Sequence, residues 1–316
     1  MKMRRALGTH GTVHRVVDLQ KRHDEKQTLP TLLCADDGCG ASVRFVAAHE
    51  RSQADGTPPI HVPACIALSK GAEHQPDCRY NAPGRLQAIL ANPADPEVLH
   101  ALDDGRHELR LLVLQQAMKR AGTAQSQSGQ SAKLGQDAVG SPLDRSLQAV
   151  MDLLVLRALC GDDDLLAAQV TPRLGKKRVD WSSLFYAQAR YDTAWERLGA
   201  ASNELPMAFV GTVRSHRLPQ TGSSYGATYL NCAPKYNRIG NTDRNDYFEV
   251  SVGHEDAAWL QSFPAGAEIV MFGLWRLGKS ATATRPHPKD PRRTITHVTH
   301  KLILWPGSKA QVVLVD

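Results

Sequence analysis

The chain has 316 residues, of which 42% are hydrophobic, and carries a formal net charge of +6 at pH 7. This length allows two or three domains with substantial cores. The chain contains no run of 18 apolar residues, and its basic start lacks the apolar core of a signal peptide, which argues against a transmembrane helix and a secretory leader. Six cysteines in a chain this long do not resemble a secreted disulfide scaffold, so the sequence predicts a bacterial-type cytoplasmic protein.

Charge is distributed unevenly along the chain. Residues 1–28 hold seven Lys/Arg and three Asp/Glu, a net +4, and residues 206–316 hold thirteen and eight, a net +5, which leaves −3 for the middle. Basic ends around a mildly acidic middle favour an anionic polymer as partner. The alternative is that this charge serves solubility alone.

Four of the six cysteines lie between residues 34 and 78, together with two well-spaced histidines. Thiolates and imidazoles at short, repeated spacing are the ligands that tetrahedral zinc requires, and Asp37-Gly38 supplies turn residues next to the first cysteine pair. We therefore predict one structural Zn²⁺ ion. Its predicted ligands are Cys34, Cys39, His74 and Cys78, with His61 and Cys65 as alternates of the same H-x3-C spacing. Ordinary buried cysteines with surface histidines are the alternative interpretation.

Residues 43–46 and 60–68 are predicted to form the two strands of a hairpin beside these ligands. Within residues 30–80, a cysteine pair is followed by a strand and a histidine-containing segment. This order resembles the N-terminal zinc-ribbon-like segment of competence protein CoiA and related bacterial proteins. The resemblance implies a zinc-ribbon domain over residues 1–84. Cys65-Ile66 stands where that family usually has His-Phe, and the nuclease part of CoiA-type proteins is not evident in this chain.

Residues 85–205 are predicted to form a helical domain. An apolar stripe from Glu97 to Met118 predicts a helix within 85–121, with Gly122 as its end. Gly105 is a position at which this helix can be interrupted. The Ser/Gln/Gly-rich stretch 123–140 is predicted to be a flexible linker. A second helix is predicted to begin at Ser141-Pro142 and to end at Gly161.

Residues 206–316 have the sequence pattern of strands rather than of helices, and they are predicted to form an OB-like antiparallel β-barrel. The alternation of apolar and polar residues predicts three strands, one short helix and then three further strands. This element order is that of an OB-fold, so the predicted fold class is α+β. The predicted strands are residues 206–215, 225–233, 247–252, 268–277, 294–305 and 311–315, and the predicted helix is 255–263.

One segment of this region matches a nucleotide-binding pattern. Residues 273–280 read GLWRLGKS, which satisfies the P-loop pattern G-x4-G-K-S. Bulky Leu274, Trp275 and Leu277 do not suit a loop that wraps phosphates. Pro286 and Pro288 follow too closely for the helix that such a loop requires. We therefore predict that Gly273 and Trp275 lie on a barrel strand that ends in a basic loop.

Strand alternation indicates where a ligand would bind on the barrel. If Thr228, Leu230 and Cys232 face inward on the second strand, and Phe248, Val250 and Val252 on the third, the tyrosines lie outside, where bases can stack on them. Residues 278–294 are predicted to form a long basic loop that contacts phosphates. The predicted nucleic-acid-binding residues are Tyr225, Tyr229, Tyr247, Lys279, Arg285, Lys289, Arg292 and Arg293. The alternative for the tyrosines is that they only cover the sheet. The alternative for residues 278–294 is a mobile hairpin tip without a ligand.

The leading prediction is a zinc-containing, non-enzymatic protein that binds nucleic acid, most simply single-stranded DNA or RNA, in bacterial DNA processing, a mobile element or defence. One rival hypothesis is a protein-interaction subunit of a larger complex, in which the zinc and the barrel are scaffolds. The other is an enzyme, either a nuclease or a P-loop-like NTPase. The sequence shows no HExxH pair, Ser-His-Asp signature or convincing two-carboxylate motif, so no catalytic residue is predicted.

Overall fold

A computed structural model describes residues 3–51, 60–62, 64–127, 142–160, 163–201, 205–219, 227–238, 243–287 and 290–315. The fold is mixed α+β with several sheets, as the sequence predicts. The chain divides into two compact units: residues 1–92 with 155–168, and residues 93–154 with 169–316. The predicted boundaries near residues 84 and 205 stay predictions. No helix within the described ranges is both long and apolar enough to cross a membrane.

The first unit is built on a five-stranded antiparallel sheet. The elements of this unit are β1 Arg5–Gly8, β2 Val13–Arg15, α1 Val16–Asp24, β3 Leu32–Cys34, β4 Ser42–Val46, β5 His49–Arg51, β6 Ile60–Val62, β7 Cys65–Leu68 and α2 Ala82–Ala91. The strand order in the sheet is β2-β1-β3-β4-β7. A backbone bridge between Met3 and Ile66 links the start of the chain to the last strand of this sheet. Strands β5 and β6 form a separate pair, so the predicted strand 60–68 is two strands.

The predicted helical middle region also contains strands. Residues 97–110, predicted as helix, form a hairpin instead, because Gly105 adopts a positive φ of 79° and turns the chain. The predicted linker begins as helix up to Gln127, and the rest of it lies outside the described residues. The elements are β8 Leu99–Ala101, β9 His107–Arg110, α3 Leu111–Gln127, α4 Pro142–Cys160, α5 Asp163–Gln169, β10 Val170–Leu174, β11 Lys177–Arg178, α6 Trp181–Leu184, β12 Phe185–Tyr186 and α7 Tyr191–Ala200.

The remaining strands of the second unit form a larger sheet that closes on itself. The elements are β13 Pro206–Arg217, β14 Thr228–Cys232, β15 Lys235–Arg238, β16 Arg244–His254, α8 Ala257–Gln261, β17 Glu268–His287, β18 Asp290–Leu304 and β19 Val312–Leu314. Five of them pair in a closed circuit, in the order β13-β14-β16-β18-β17 and back to β13. The β16–β18 pair is parallel and the other four pairs are antiparallel. The prediction of an entirely antiparallel barrel is therefore wrong at this one pair. Apolar side chains such as Phe209, Val250 and Trp275 fill the space that the circuit encloses.

The P-loop-like segment lies on strand β17, as predicted. Its backbone pairs with β13 up to Leu274 and with β18 from Trp275 to Gly278, so residues 273–278 lie in the sheet; the register of β17 with β18 shifts between Gly278 and Ala281. The prediction that this strand ends in a basic loop is wrong. Residues 278–287 continue β17, and β18 already begins at Asp290, because each strand supplies the other's hydrogen-bond partners across a long hairpin.

Gly273 tests this interpretation, because its role in a strand differs from its role in a phosphate loop. A Cβ at Gly273 would lie 2.5 Å from Leu304 Cδ1 and 2.6 Å from Gln311 Nε2. We expect Gly273→Ala to lower the free energy of unfolding by about 1–3 kcal/mol through overpacking. Lys279→Ala, an exposed position on the same strand, should change it by less than about 0.5 kcal/mol. Urea unfolding measures both. Equal stabilities, or magnesium-dependent ATP binding that Lys279→Ala removes, would contradict the strand assignment.

Candidate metal centre and aromatic surface

The first unit brings Cys34, Cys39, His74 and Cys78 together, and their candidate ligand atoms all lie within 4.8 Å of one another. Cys34 Sγ lies 3.7 Å from Cys78 Sγ. His74 Nδ1 lies 3.4 Å from Cys39 Sγ and 3.5 Å from Cys78 Sγ. The three cysteines are buried and the histidine is half-buried. This group could hold a metal ion.

Two short turns bring these four side chains to one place. Cys34 ends strand β3 and Cys39 follows in a tight turn, which depends on positive φ values at Gly38 (78°) and Gly40 (59°). The Cys34 amide donates to the Ala41 carbonyl across this turn at 2.8 Å. The second pair lies between β7 and α2, where the Cys78 amide donates to the Gln75 carbonyl at 3.1 Å. Because β3 and β7 both pair with β4, the sheet holds the two turns in place.

An ion pair joins the two turns beside the cysteines. Arg79, which follows the second pair, reaches Asp36 in the first turn, with Nε 2.9 Å from Oδ1. The Arg79 side chain also donates to the Ala35 carbonyl at 3.2 Å. This cross-link fixes one turn against the other independently of a metal.

The electrostatic environment differs among the four residues. Burial raises the pKa of Cys34 to about 11 and that of Cys78 still higher. Burial also acts to raise the pKa of Cys39, but backbone hydrogen bonds from Gln75 and Ala41 help bring it below the usual value. Burial lowers the pKa of His74, which keeps its imidazole neutral at neutral pH. A neutral imidazole and a thiolate are the forms that bind metals.

Of the two alternate ligands, the one whose side chain the structure describes does not belong to this group. Cys65 is buried as the first residue of β7, opposite Val46 of β4, and is absent from the clustered set. His61 lies on β6 opposite Glu50, and its side chain lies outside the described residues.

On the barrel, the predicted alternation of inward and outward side chains is confirmed. Thr228, Leu230 and Cys232 are fully buried, whereas Tyr229 is half-buried. On β16 the apolar residues Phe248, Val250 and Val252 belong to the core. Tyr229 and Tyr247 therefore lie on the outer face of the barrel.

An aromatic group lies at one end of this outer face. Tyr229 pairs with Arg217 on β13 and with Gly253 on β16, and Trp305 directly follows β18. The rings of Tyr229 and Trp305 meet edge to face at 5.6 Å, and Arg217 Cζ lies 4.6 Å from the Tyr229 ring centroid. A Cβ at Gly253 would approach both rings to 3.0 Å, so the glycine leaves room for them. Trp305 keeps 45% of its surface exposed.

A second aromatic group lies farther along the same face. Tyr236 on β15 pairs with Tyr247 on β16, and their ring centroids are 5.1 Å apart. The Tyr247 hydroxyl lies 3.2 Å from His297 Nδ1 on β18. Tyr236 is 50% exposed. Along β16, Tyr247 and Gly253 are six residues apart, a span of about 20 Å.

Polar side chains fill the space between the two groups. Ser251 Oγ donates to Asn231 Oδ1 at 2.9 Å. Arg214 forms an ion pair with the buried Glu249. Because Arg214 neutralises this carboxylate, the middle of the face presents no isolated negative charge.

The predicted basic residues lie on the long hairpin, where the structure describes them. Lys279 and Arg285 are exposed on β17, and Arg292 and Arg293 are exposed on β18. Arg293 also forms a bidentate ion pair with Asp243, at 2.6 and 3.0 Å. Tyr225 and Lys289 lie outside the described residues.

Three members of the aromatic face are absent from the sequence-based prediction. Trp305 could have been found by continuing the alternation of its own strand, since Leu302 and Leu304 face inward. Tyr236 lies on β15, a strand that the sequence analysis did not identify. Arg217 lies beyond the predicted end of its strand, which the structure extends by two residues.

No protein-family model matches the chain, and no curated protein matches it. Among solved structures, the chain is similar to the small single-stranded DNA-binding protein from Streptomyces coelicolor. The match has 14% sequence identity, covers 35% of this chain and 94% of that chain, and has a TM-score of 0.18. A TM-score this low establishes no shared fold.

Proposed function

We propose that this protein binds single-stranded nucleic acid across the outer face of its β-barrel. The observation that carries the proposal is a pair of aromatic groups on that face, Tyr229 with Trp305 and Tyr236 with Tyr247. In each group one ring, Trp305 or Tyr236, is exposed and the other is half-buried. Any of the nucleic-acid bases can stack on such rings, because every base has a π-face. Arg217, which lies over Tyr229, supplies a positive charge beside the stacking surface, where a phosphate would lie.

The topology of the barrel supports the same proposal. We assign it as an OB-like fold, because the order β13-β14-β16-β18-β17 closes a five-stranded barrel with a short helix, α8, between its third and fourth strands. Barrels of this kind use the face of their second and third strands to bind oligonucleotides. In this chain those strands are β14 and β16, which carry Tyr229 and Tyr247.

We further propose that the clustered group in the first unit binds one structural Zn²⁺ in a zinc-ribbon-like site. Zinc–sulfur bonds of about 2.3 Å and a zinc–nitrogen bond of about 2.0 Å place tetrahedral ligand atoms about 3.8 Å apart for two sulfurs and about 3.5 Å for sulfur and nitrogen. The observed separations of 3.7, 3.4 and 3.5 Å support this geometry. Four protein ligands leave no position for a substrate, so the ion would stabilise the fold. We include in this proposal the resemblance of residues 30–80 to the zinc-ribbon-like segment of CoiA-type proteins.

Binding of labelled oligonucleotides tests the proposed function. We expect the full-length protein to bind single-stranded DNA, measured by fluorescence anisotropy, and its affinity to fall as salt rises from 50 to 200 mM, because phosphate contacts release counterions. The same titration with single-stranded RNA establishes which polymer is preferred. If the folded protein binds neither polymer at low salt, the protein-interaction hypothesis becomes the better one.

A further inference from the structure

The long hairpin of β17 and β18 forms a basic ribbon, and its outer end extends beyond the pairing of β18 with β16. We define the ribbon arm as residues Arg276–His287 of β17 and Asp290–Lys301 of β18. Its described residues include six Lys/Arg and a single Asp/Glu. The cations are Arg276, Lys279, Arg285, Arg292, Arg293 and Lys301. This concentration of positive charge predicts a polyanionic partner.

The arm differs chemically from the barrel face. It contains no Phe, Tyr or Trp, so it lacks the rings on which unpaired bases stack. Its exposed residues on β17 between Lys279 and Arg285 are only serine, alanine and threonine. Cations on a slender ribbon without aromatic rings suit a duplex, whose bases are already stacked, better than a single strand.

The dimensions of the arm fit a groove of B-form DNA. Strand β16 stops supporting the hairpin at Thr296. Within the described residues, the pairs beyond Thr284–Thr296 have no third strand. Three residues at about 3.3 Å each give this part a length of about 10 Å. The major groove of B-DNA is about 8.5 Å deep and about 12 Å wide and admits a two-stranded ribbon. The deep, narrow major groove of duplex RNA does not admit side chains.

One face of the arm carries groups that can hydrogen-bond in a groove. Thr284 pairs with Thr296 and Pro286 with Thr294, and Thr282 lies on the same face because it is two residues from Thr284. Threonine hydroxyls donate and accept hydrogen bonds at base edges and phosphates. The ion pair of Arg293 with Asp243 holds the arm against the segment that precedes β16.

We propose that the ribbon arm inserts into the major groove of duplex DNA, so that the protein recognises a junction between duplex and single strand. The junction rests on the proposed function, since the single strand would occupy the aromatic face. Tyr247 pairs with Thr299, which pairs with Ala281 in the part of the arm that β16 still supports. From Thr299 to Ile295, which is paired with Arg285, the distance along β18 is about 13 Å. A duplex on the arm would therefore end beside the second aromatic group.

Anisotropy titrations with four labelled substrates test this proposal: a single strand, a DNA duplex, the same duplex with a single-stranded overhang, and a duplex RNA. We expect the overhang substrate to bind most tightly and the duplex RNA to bind most weakly. Lys279→Ala with Arg285→Ala should weaken DNA-duplex binding about tenfold and make the salt slope shallower by about two, because two phosphate contacts are lost. Both residues are exposed, so circular dichroism should show an unchanged fold.

A matched control removes one lysine and one arginine from another exposed strand of the same unit. Lys177→Ala with Arg178→Ala on β11 should leave duplex affinity unchanged. Three results would overturn insertion into the groove. The two double variants could lose the same duplex affinity, or the arm variant could bind duplex DNA as tightly as the unmodified protein. The third is equal affinity of the unmodified protein for duplex RNA and duplex DNA. If the duplex binds through the arm and no single strand binds, the arm assignment stands and the proposed single-strand function fails.

Discussion

Replacement of Cys34 and Cys39 by serine is expected to remove zinc from the protein and to unfold the first unit. These residues supply two of the four clustered ligand atoms, and serine hydroxyls are poor ligands at neutral pH. Structural zinc contributes about 10–16 kcal/mol of apparent binding free energy, as much as the whole stability of an ordinary domain, about 5–15 kcal/mol. We therefore expect metal content to fall from one zinc per chain to none, and the first unit to become sensitive to proteases.

Cys65 provides the matched control for this experiment. It is buried in the same sheet as Cys34 but lies outside the clustered group. Cys65→Ser should therefore retain one zinc per chain. Its free energy of unfolding should fall only by the cost of placing a hydroxyl group in a buried, packed position. Elemental analysis and limited proteolysis measure both variants. Full zinc retention in the double variant, or loss of zinc in Cys65→Ser, would show that the ligand assignment is wrong.

Loss of both rings of the first aromatic group is expected to abolish most single-strand binding. Each base–ring stack is worth about 1–3 kcal/mol, a factor of about 5 to 150 in Kd. Tyr229→Ala with Trp305→Ala should therefore weaken binding by at least about 25-fold if both rings stack on bases. Because stacking involves no counterion release, the salt slope should stay nearly constant. This result differs from that expected for the arm variant, in which the salt slope changes.

Tyr229→Phe controls for the loss of the ring itself. It keeps the stacking surface and the edge-to-face contact with Trp305, 5.6 Å between ring centroids, and should bind almost as tightly as the unmodified protein. Thermal unfolding of each variant separates lost binding from lost stability. If the double alanine variant is folded and binds single strands with unchanged affinity, the outer face is not the interface.

The cysteines of the candidate metal centre could be predicted because the signal is local. A thiol pair at Cys34 and Cys39 needs only a turn between its members, and Gly38 and Gly40 provide that turn. The alternation of the barrel strands is also local, since side chains on a strand point to opposite faces in turn. This rule predicted most strands of residues 206–316. It also predicted which side chains of β14 and β16 face the inside of the barrel.

The β17 half of the hairpin arm could not be predicted, because residues 278–287 have no apolar alternation of their own. Residues 281–286 are exposed, and their extended conformation depends on hydrogen bonds to β18 rather than on burial. A sequence with small polar residues and prolines is equally typical of a loop. The helix predicted over residues 97–110 failed for a related reason, since a turn at Gly105 overrides an approximate apolar stripe.

The sequence by itself determined the residue types that can bind metal and the alternation that separates a buried from an exposed face. Only the tertiary structure decided which of these residues meet. The parallel pairing of β16 with β18 joins segments about 50 residues apart and places Trp305 beside Gly253 and Tyr229. The pairing of β13 with β17 closes the barrel. Such contacts depend on the register between strands that are distant in the sequence. The spacing of residues along the chain does not determine this register.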